Sequence, residues 1–517
     1  MNNNFLILVR ANFQTLWGSM RYSKRKKKYI PLTLMAVVFG SMIVFSMVLN
    51  AVGQTTAFIE HGVPEQAIYS AVSTTILLAL LLSVFRGGTS NTSNDADFLL
   101  ALPVTRNTIL LSKSVSRYIF DLVLILTYML PSIVVYNVMA DSSAAVLLRG
   151  VLVTFMMPMM AVGVAYLLSW LIFVLSGRFP RTDLIKTLLM LVIFVVFIYF
   201  YLVMSGTLAV GGNVRDFVAK TGFLVWGADF VINGDVPAFG LFTLVTAALF
   251  ALGVFLQSLI YGKKPKVWRS KNKKLSFNKR SPLAALFNKE IKFYFSITSY
   301  VINTIFSPAM AVMATAAVVV LRGDILQVFG EQLSDVPIDI PFIILAMFCF
   351  FPAMMTTSAS SISLEGKSIR ILRASPLDEH DVFMSKIFVH LLIIAPVSAA
   401  CIVVCGLALK LTALEIILAL IAVMMLALFI AFLGLYINLV FPKLDWSNET
   451  AVVKQSAAVL VTMLSGTLFA CVPVVLYFVI DMDYLRSATI SAFVFFVLAF
   501  FMWVMLMTDG RKRYREL

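Results

Sequence analysis

Ala101-Leu-Pro-Val-Thr-Arg-Asn-Thr-Ile-Leu-Leu-Ser-Lys113 in the first half of the chain returns in the second half as Ala374-Ser-Pro-Leu-Asp-Glu-His-Asp-Val-Phe-Met-Ser-Lys386. Pro103 and Pro376, Ser112 and Ser385, and Lys113 and Lys386 keep register, and each copy lies between two long apolar segments. The chain therefore reads as a duplicated membrane unit.

Composition points the same way. With 61% hydrophobic and 13% charged residues, the chain lacks the polar surface that keeps a soluble globule in water. A spanning helix needs roughly 20 apolar residues to cross about 30 Å of hydrocarbon, and about twelve stretches approach that length. The first six are Ile30–Leu49, Ile68–Phe85, Tyr118–Met139, Val151–Leu175, Thr187–Met204 and Ala238–Ile260. The second six are Val301–Leu321, the short Ile340–Met355, Ile387–Leu409, Ile416–Val440, Ala457–Ile480 and Thr489–Met507. The expected fold is an all-α polytopic membrane protein of two six-helix repeats.

Loop charge sets the expected orientation. Arg21-Tyr-Ser-Lys-Arg-Lys-Lys-Lys28, the stretch from Lys263 to Arg280, and Arg511-Lys-Arg-Tyr-Arg515 fall on one side if the spans alternate. That side is read as the cytoplasm, with both termini and both repeated loops on it. The opposite loops carry Glu60, Glu65, Asp324, Glu331, Asp335, Asp339, Asp481 and Asp483. The net charge of +15 is accounted for by topology and anionic lipid head groups, so no nucleic-acid partner is expected. Cys349, Cys401, Cys405 and Cys471 all fall inside expected spans, which argues against a disulfide framework or a zinc site. The N-terminal pattern is not that of a cleaved signal peptide.

Three parts are expected: a first six-helix unit over residues 1–262, a basic cytoplasmic linker over 263–282, and a second unit over 283–517. Ahead of each unit lies an amphipathic stretch, Phe5 to Met20 and Leu283 to Phe295. Each reads as an interfacial helix or as the ragged start of the next span. Phe179-Pro-Arg-Thr-Asp183 after the fourth span and Phe441-Pro-Lys-Leu-Asp445 after the tenth form a second repeated pair, in which Pro ends the long helix. The apolar stretch Phe217–Ile232 is too short to span and reads as a re-entrant segment or an external cap.

Catalytic signals are missing. Ser361-Ile-Ser-Leu-Glu-Gly-Lys-Ser368 ends like a phosphate-binding loop, but Ser361 stands where that loop needs Gly, and a membrane span precedes it instead of a strand. His61, His380 and His390 are the only histidines. Within the spans the candidate ionisable residues are Asp121, Lys186, His390 and Lys454, fewer than a proton- or sodium-coupled carrier usually needs. No metal, cofactor or enzymatic activity of the chain's own is expected.

The repeated loops carry the most specific signal. The first holds Asp97, Phe98, Leu99, Leu102, Pro103, Thr105 and Arg106, with apolar residues where a loop should be polar. In the second, Ile371 and Leu372 lie between Arg370 and Arg373 ahead of Pro376. Each suits a short helix with an apolar face that docks into a groove on another protein or lies in the lipid interface. Thr105 and Asp378 are positioned to cap the next helix, which runs through Ser-Lys into the third or ninth span.

These loops, together with Phe441-Pro-Lys-Leu-Asp-Trp-Ser-Asn448 and Val453-Lys-Gln455, resemble bacterial ABC-2 type exporter permeases, most closely the fused twelve-span branch. The resemblance covers nearly the whole chain and is clearer in the second half. It implies an interfacial connecting helix before each unit and a cytoplasmic coupling helix between its second and third spans. It also implies ATPase subunits recruited in trans, two copies per complex, which bind the ATP and Mg, with room for a second permease. The membrane would be the bacterial cytoplasmic membrane. The first copy departs from the pattern, with Gly87-Gly-Thr-Ser-Asn-Thr-Ser-Asn94 where the second has its Ser-Leu-Glu-Gly-Lys run, so unequal contacts with the two ATPases are expected. The abundance of Phe and Met favours a hydrophobic or amphipathic cargo such as a peptide, lipid or drug. The alternative is a secondary carrier of two six-helix halves; an enzyme or sensor is a third reading that the scarcity of clustered His, Asp and Glu opposes.

Overall fold

The computed structural model describes residues 5–12, 30–87, 99–176, 222–263, 281–320, 339–446, 449–454 and 456–517, with single positions between 185 and 196 and residues 322–323. The described residues form helices and turns, with no strand among them. The chain divides into two compact units, Met1–Ser270 and Lys271–Leu517.

In the first unit a helical stretch at residues 5–12 precedes α1 (Ile30–Glu60), α2 (Gln66–Gly87), α3 (Arg106–Met139), α4 (Ala144–Ser176), the short α5 (Phe223–Asn233) and α6 (Val236–Ile260). Thr105 caps α3, its side chain accepting from the Thr108 N–H. The 34 residues of α3 make a rod of about 51 Å, longer than the hydrocarbon, so its first turns stand beyond it. Gly163 and Gly253 bring α4 and α6 into backbone contact; a methyl on Gly163 would lie 2.7 Å from the Leu249 carbonyl oxygen. Small residues at such crossings substitute van der Waals contact for the hydrophobic drive that lipid removes.

At the far end of this unit α5 is braced by polar side chains. The Tyr69 hydroxyl donates to the Asp229 carboxylate, and the Arg149 guanidinium donates to the Phe230 and Ile232 carbonyls at 3.4 and 3.3 Å. With 11 residues, α5 is far too short to span. The described part of Phe217–Ile232 is thus a short helix braced by Tyr69 and Arg149, a form common to a re-entrant segment and an external cap. The expected fifth span, apart from the single positions between 185 and 196, and the Phe179–Asp183 motif lie outside the described residues.

The second unit contains α7 (Pro282–Ser296), α8 (Thr298–Val320), α9 (Ile340–Met354), α10 (Thr357–Glu365), a 3-10 turn (Gly366–Ser368), α11 (Ile369–Ala374), α12 (Glu379–Ala408), α13 (Ala413–Val440), α14 (Thr450–Val453), α15 (Ala457–Ala470), α16 (Val472–Phe478), α17 (Tyr484–Met505), a π turn (Leu506–Gly510) and α18 (Arg511–Glu516). α7 is a helix in its own right, capped by Ser281 and ended at Ile297, and it buries Leu286, Glu290 and Tyr294 at four-residue spacing along one face. The core gathers around α13, where Ala422, Val423, Leu426, Ile430 and Leu435 are all fully buried.

Among the described residues nine helical segments are long and apolar enough to cross a membrane, six of them in the second unit. The expected short span at Ile340–Met355 is longer than its hydropathy suggested, because α9 continues past a break into α10 and α11, over Ile340–Ala374. Pro352 cannot donate to the helix ladder, and Met355 bonds back to the Pro352 carbonyl. The freed Phe351 carbonyl accepts from Ser307 Oγ at 2.5 Å, and the Thr357 carbonyl accepts from the Tyr300 hydroxyl at 2.7 Å. A broken helix survives at membrane depth only with such partners.

Candidate functional site

Both repeated loops lie at the end of their unit that also holds the preceding amphipathic helix. In the first unit Leu99 and Val104 pack against Leu8, Ile109, Leu110 and Tyr261, and Arg106 donates to the Tyr261 carbonyl. Asn12 Nδ2 donates to Ser112 Oγ at 3.4 Å, and the Lys113 ammonium lies 5.1 Å from the Tyr261 ring centroid, within cation–π range. Leu99 and Leu102 are half-buried, Pro103 and Thr105 exposed and Arg106 half-buried, while the neighbouring Leu100 is 40% exposed. Asp97 and Phe98 lie outside the described residues, as does the Gly87–Asn94 run beyond Gly87.

The second loop is braced more heavily. Lys386 of α12 is 2% exposed, and its ammonium donates to Glu290 Oε1 of α7 and Glu365 Oε1 of α10 at 3.0 Å each and to the Ser361 carbonyl at 3.3 Å. Lys289 pairs with Glu290 at 3.0 Å and with Glu365. Two ammonium groups and two carboxylates thus form a neutral cluster that pins three helices together. Removal of charges from water is tolerated only when pairing and hydrogen bonds are this complete. α10 is held equally firmly on its other side. Asn438 Oδ1 accepts from the Ile362 and Ser363 N–H groups at 2.9 and 3.0 Å, and Trp446 Nε1 donates to the Ser363 carbonyl at 2.8 Å. Gly366 follows with φ +53, and a methyl there would meet Trp446 Nε1 at 3.2 Å; the turn out of α10 therefore needs glycine.

The stretch that mimics the end of a phosphate-binding loop is thus the buried end of a helix, residues 361–365, followed by a 3-10 turn with Lys367 and Ser368 exposed, and a helix, not a strand, precedes it. Beyond it α11 emerges. Ile371 is 72% exposed, Arg370 and Arg373 are exposed, and Pro376 is exposed, whereas Leu372 turns back against the core of the unit. The two apolar residues expected to act together therefore face different ways. Asp378 caps α12, and the His380 N–H, reinforced by the Arg511 guanidinium, holds its carboxyl below the usual carboxylate range.

The C-terminal helix closes over this loop. Arg515 Nε pairs with Glu379 at 2.7 Å, Arg511 Nη2 with Asp378 at 3.5 Å, Arg373 donates to the Arg515 carbonyl, and the buried Tyr514 packs edge-on to Phe383. The tail and the second loop therefore share one end of the unit. Tyr477 and Asp339 meet at the other end, as do Tyr484 and Glu415. This arrangement agrees with the expected alternation of spans.

Of the ionisable residues expected inside spans, Asp121 is buried and accepts from Ser83 Oγ at 2.9 Å, His390 is buried with Nδ1 facing the Ser358 N–H at 3.4 Å, Lys454 is exposed, and Lys186 lies outside the described residues. The sequence reading missed the Lys386, Glu290, Glu365 and Lys289 cluster; its one local trace is the Ser-Lys pair kept in register. No group of three or more metal-binding side chains occurs among the described residues.

A family model described as a membrane protein of 12 TMs matches residues 26–504. No curated protein matches the chain.

Proposed function

The chain belongs to this family of twelve-span membrane proteins, and from that premise we propose that it is the transmembrane permease subunit of an ATP-driven exporter, served by ABC ATPase subunits in trans. It moves a hydrophobic or amphipathic substrate such as a peptide, lipid or drug across the bacterial cytoplasmic membrane, with both termini in the cytoplasm. It carries no catalytic residues, and ATP and Mg belong to the partner.

The observation that carries this reading is the mounting of α11. Its exposed Ile371 projects from a six-residue helix joined on one side to α9 and α10 and on the other to α12, and the charge cluster ties those spans to α7. A push on α11 is transmitted to three helices as a rigid movement, the property required of an element that converts ATPase closure into rearrangement of a bundle. Leu100 offers a smaller apolar projection in the first unit. A carrier reading would need carboxylates free to exchange a cation near mid-membrane, and both buried glutamates of the cluster are already engaged by lysines.

The test is affinity purification of the full chain from its host, with ABC ATPases identified by mass spectrometry. Ile371→Asp should leave insertion intact and strip the ATPase. Burying an unpaired carboxylate costs several kcal/mol, about a hundredfold or more in affinity. Full retention of ATPase by Ile371→Asp and Leu100→Asp together would reject the coupling role and favour a secondary carrier of two six-helix halves.

A further inference from the structure

Between α11, the start of α12 and α18 lies a cleft of about 360 Å³. Arg370, Arg373 and Arg515 line it, with Leu372 and Leu377 supplying apolar surface and Tyr514 a wall. Three guanidinium groups share the lining with one carboxylate, Glu379, which is already paired with Arg515 at 2.7 Å, while the neighbouring Asp378 is paired with Arg511 and also acts on Arg515. Arg373 spends one donor on the Arg515 carbonyl, and each guanidinium carries five N–H donors, so most remain uncommitted. Arg370 makes no hydrogen bond or ion pair among the described residues. The buried Tyr514 hydroxyl is also without a partner.

The depth of the cleft follows from helix length. α12 has 30 residues and is about 45 Å long, the thickness of the hydrocarbon and both head-group layers together. Its first turn, which carries Glu379 and Val382 into the cleft wall, is on length alone able to reach the level of the lipid phosphates. α18 extends directly from the span α17 and reaches the same level.

We propose that this cleft binds a phosphate group, carried by an anionic phospholipid of the leaflet it faces or free in solution. Guanidinium forks match phosphate oxygens in geometry and charge, and basic pockets at helix ends recognise anionic head groups. The apolar floor at Leu372 and Leu377 suits the glycerol and first acyl carbons of a lipid. The bound phosphate bridges α11 and α18 and locks the loop to the tail. Lipid binding is read on the isolated chain, so its failure is separate from failure of the exporter reading.

The experiment measures thermal unfolding of the full chain in detergent, titrated with phosphatidylglycerol, phosphatidylcholine or inorganic phosphate. Phosphatidylglycerol should stabilise the chain and phosphatidylcholine should not. The double variant Arg370→Gln with Arg373→Gln should raise the half-saturating phosphatidylglycerol concentration by about tenfold or more, because it deletes charge-assisted bonds to the phosphate. Lys512→Gln removes a charge from the exposed face of the same tail outside the cleft and should change it less than about twofold if diffuse attraction is minor. Should the double variant fail to fold, Arg370→Gln alone decides, since it breaks no bond within the described chain. Stabilisation by inorganic phosphate that the Arg variants abolish would confirm the site and identify its ligand as soluble. Equal losses with Lys512→Gln, or identical behaviour in both lipids and in phosphate, would overturn the proposal.

Discussion

Lys386→Met is the sharpest perturbation of the second unit. The wild-type cluster holds two ammonium groups against two carboxylates, with Lys386 2% exposed and Glu290 and Glu365 6% each. Met has about the right length and leaves no cavity, so the cost is electrostatic. The variant leaves Lys289 alone facing Glu290 and Glu365, a net charge of minus one. Removing one partner from a buried ionic cluster costs about 3–5 kcal/mol. Lys289 is 37% exposed in its side chain and still reaches both glutamates, which places the expectation near the lower end, about 3 kcal/mol. Adding Glu290→Gln restores neutrality by leaving Lys289 opposite Glu365, and the double variant should recover more than half of the loss. The assay is reversible unfolding of the purified chain in mixed micelles, run as a double-mutant cycle. A Lys386→Met loss below about 1 kcal/mol, or additive losses in the double variant, would refute the claim that the cluster is a coupled buried unit.

Two further outcomes follow from the same geometry. Asn438→Ala removes the acceptor of the Ile362 and Ser363 N–H groups of α10 and the Nδ2 donor to Ser363 Oγ and should cost about 2–3 kcal/mol in the unfolding assay, and Asn438→Asp should not rescue it, because it loses the same donor and buries a carboxylate. For topology, in a Cys471→Ala background an impermeant thiol reagent applied to intact cells should label Asp483→Cys and spare Lys512→Cys, since the two positions stand at opposite ends of one continuous helix; the reverse pattern would invert the assigned orientation.

Hydropathy and the repeat made the architecture legible from the sequence. Partition between lipid and water is a local property, and the spans over α3, α4, α6, α8, α12, α13 and α17 could be read within a single window. The caps at Thr105 and Asp378 were legible for the same reason, because a cap bonds within two or three residues of itself. The break at Met355 and the continuation through α10 were not, because a run of Ser and Thr resembles a polar loop until Tyr300, Ser307, Asn438 and Trp446 are known to satisfy it.

What the sequence determined by itself is the number and spacing of apolar helices and the duplicated loops at one end of each unit. What only tertiary structure decided is which polar groups meet. Lys386 read only as a position kept in register between the two copies of the repeat, and nothing near it in sequence announces Glu290, 96 residues earlier, as its partner. Ile371 and Leu372 are adjacent, yet one faces outward and the other the core, because the direction of α11 is set by Gly366 and by the docking of the C-terminal helix. Charge pairing and side-chain direction depend on contacts across long stretches of chain, and a linear pattern carries no record of them.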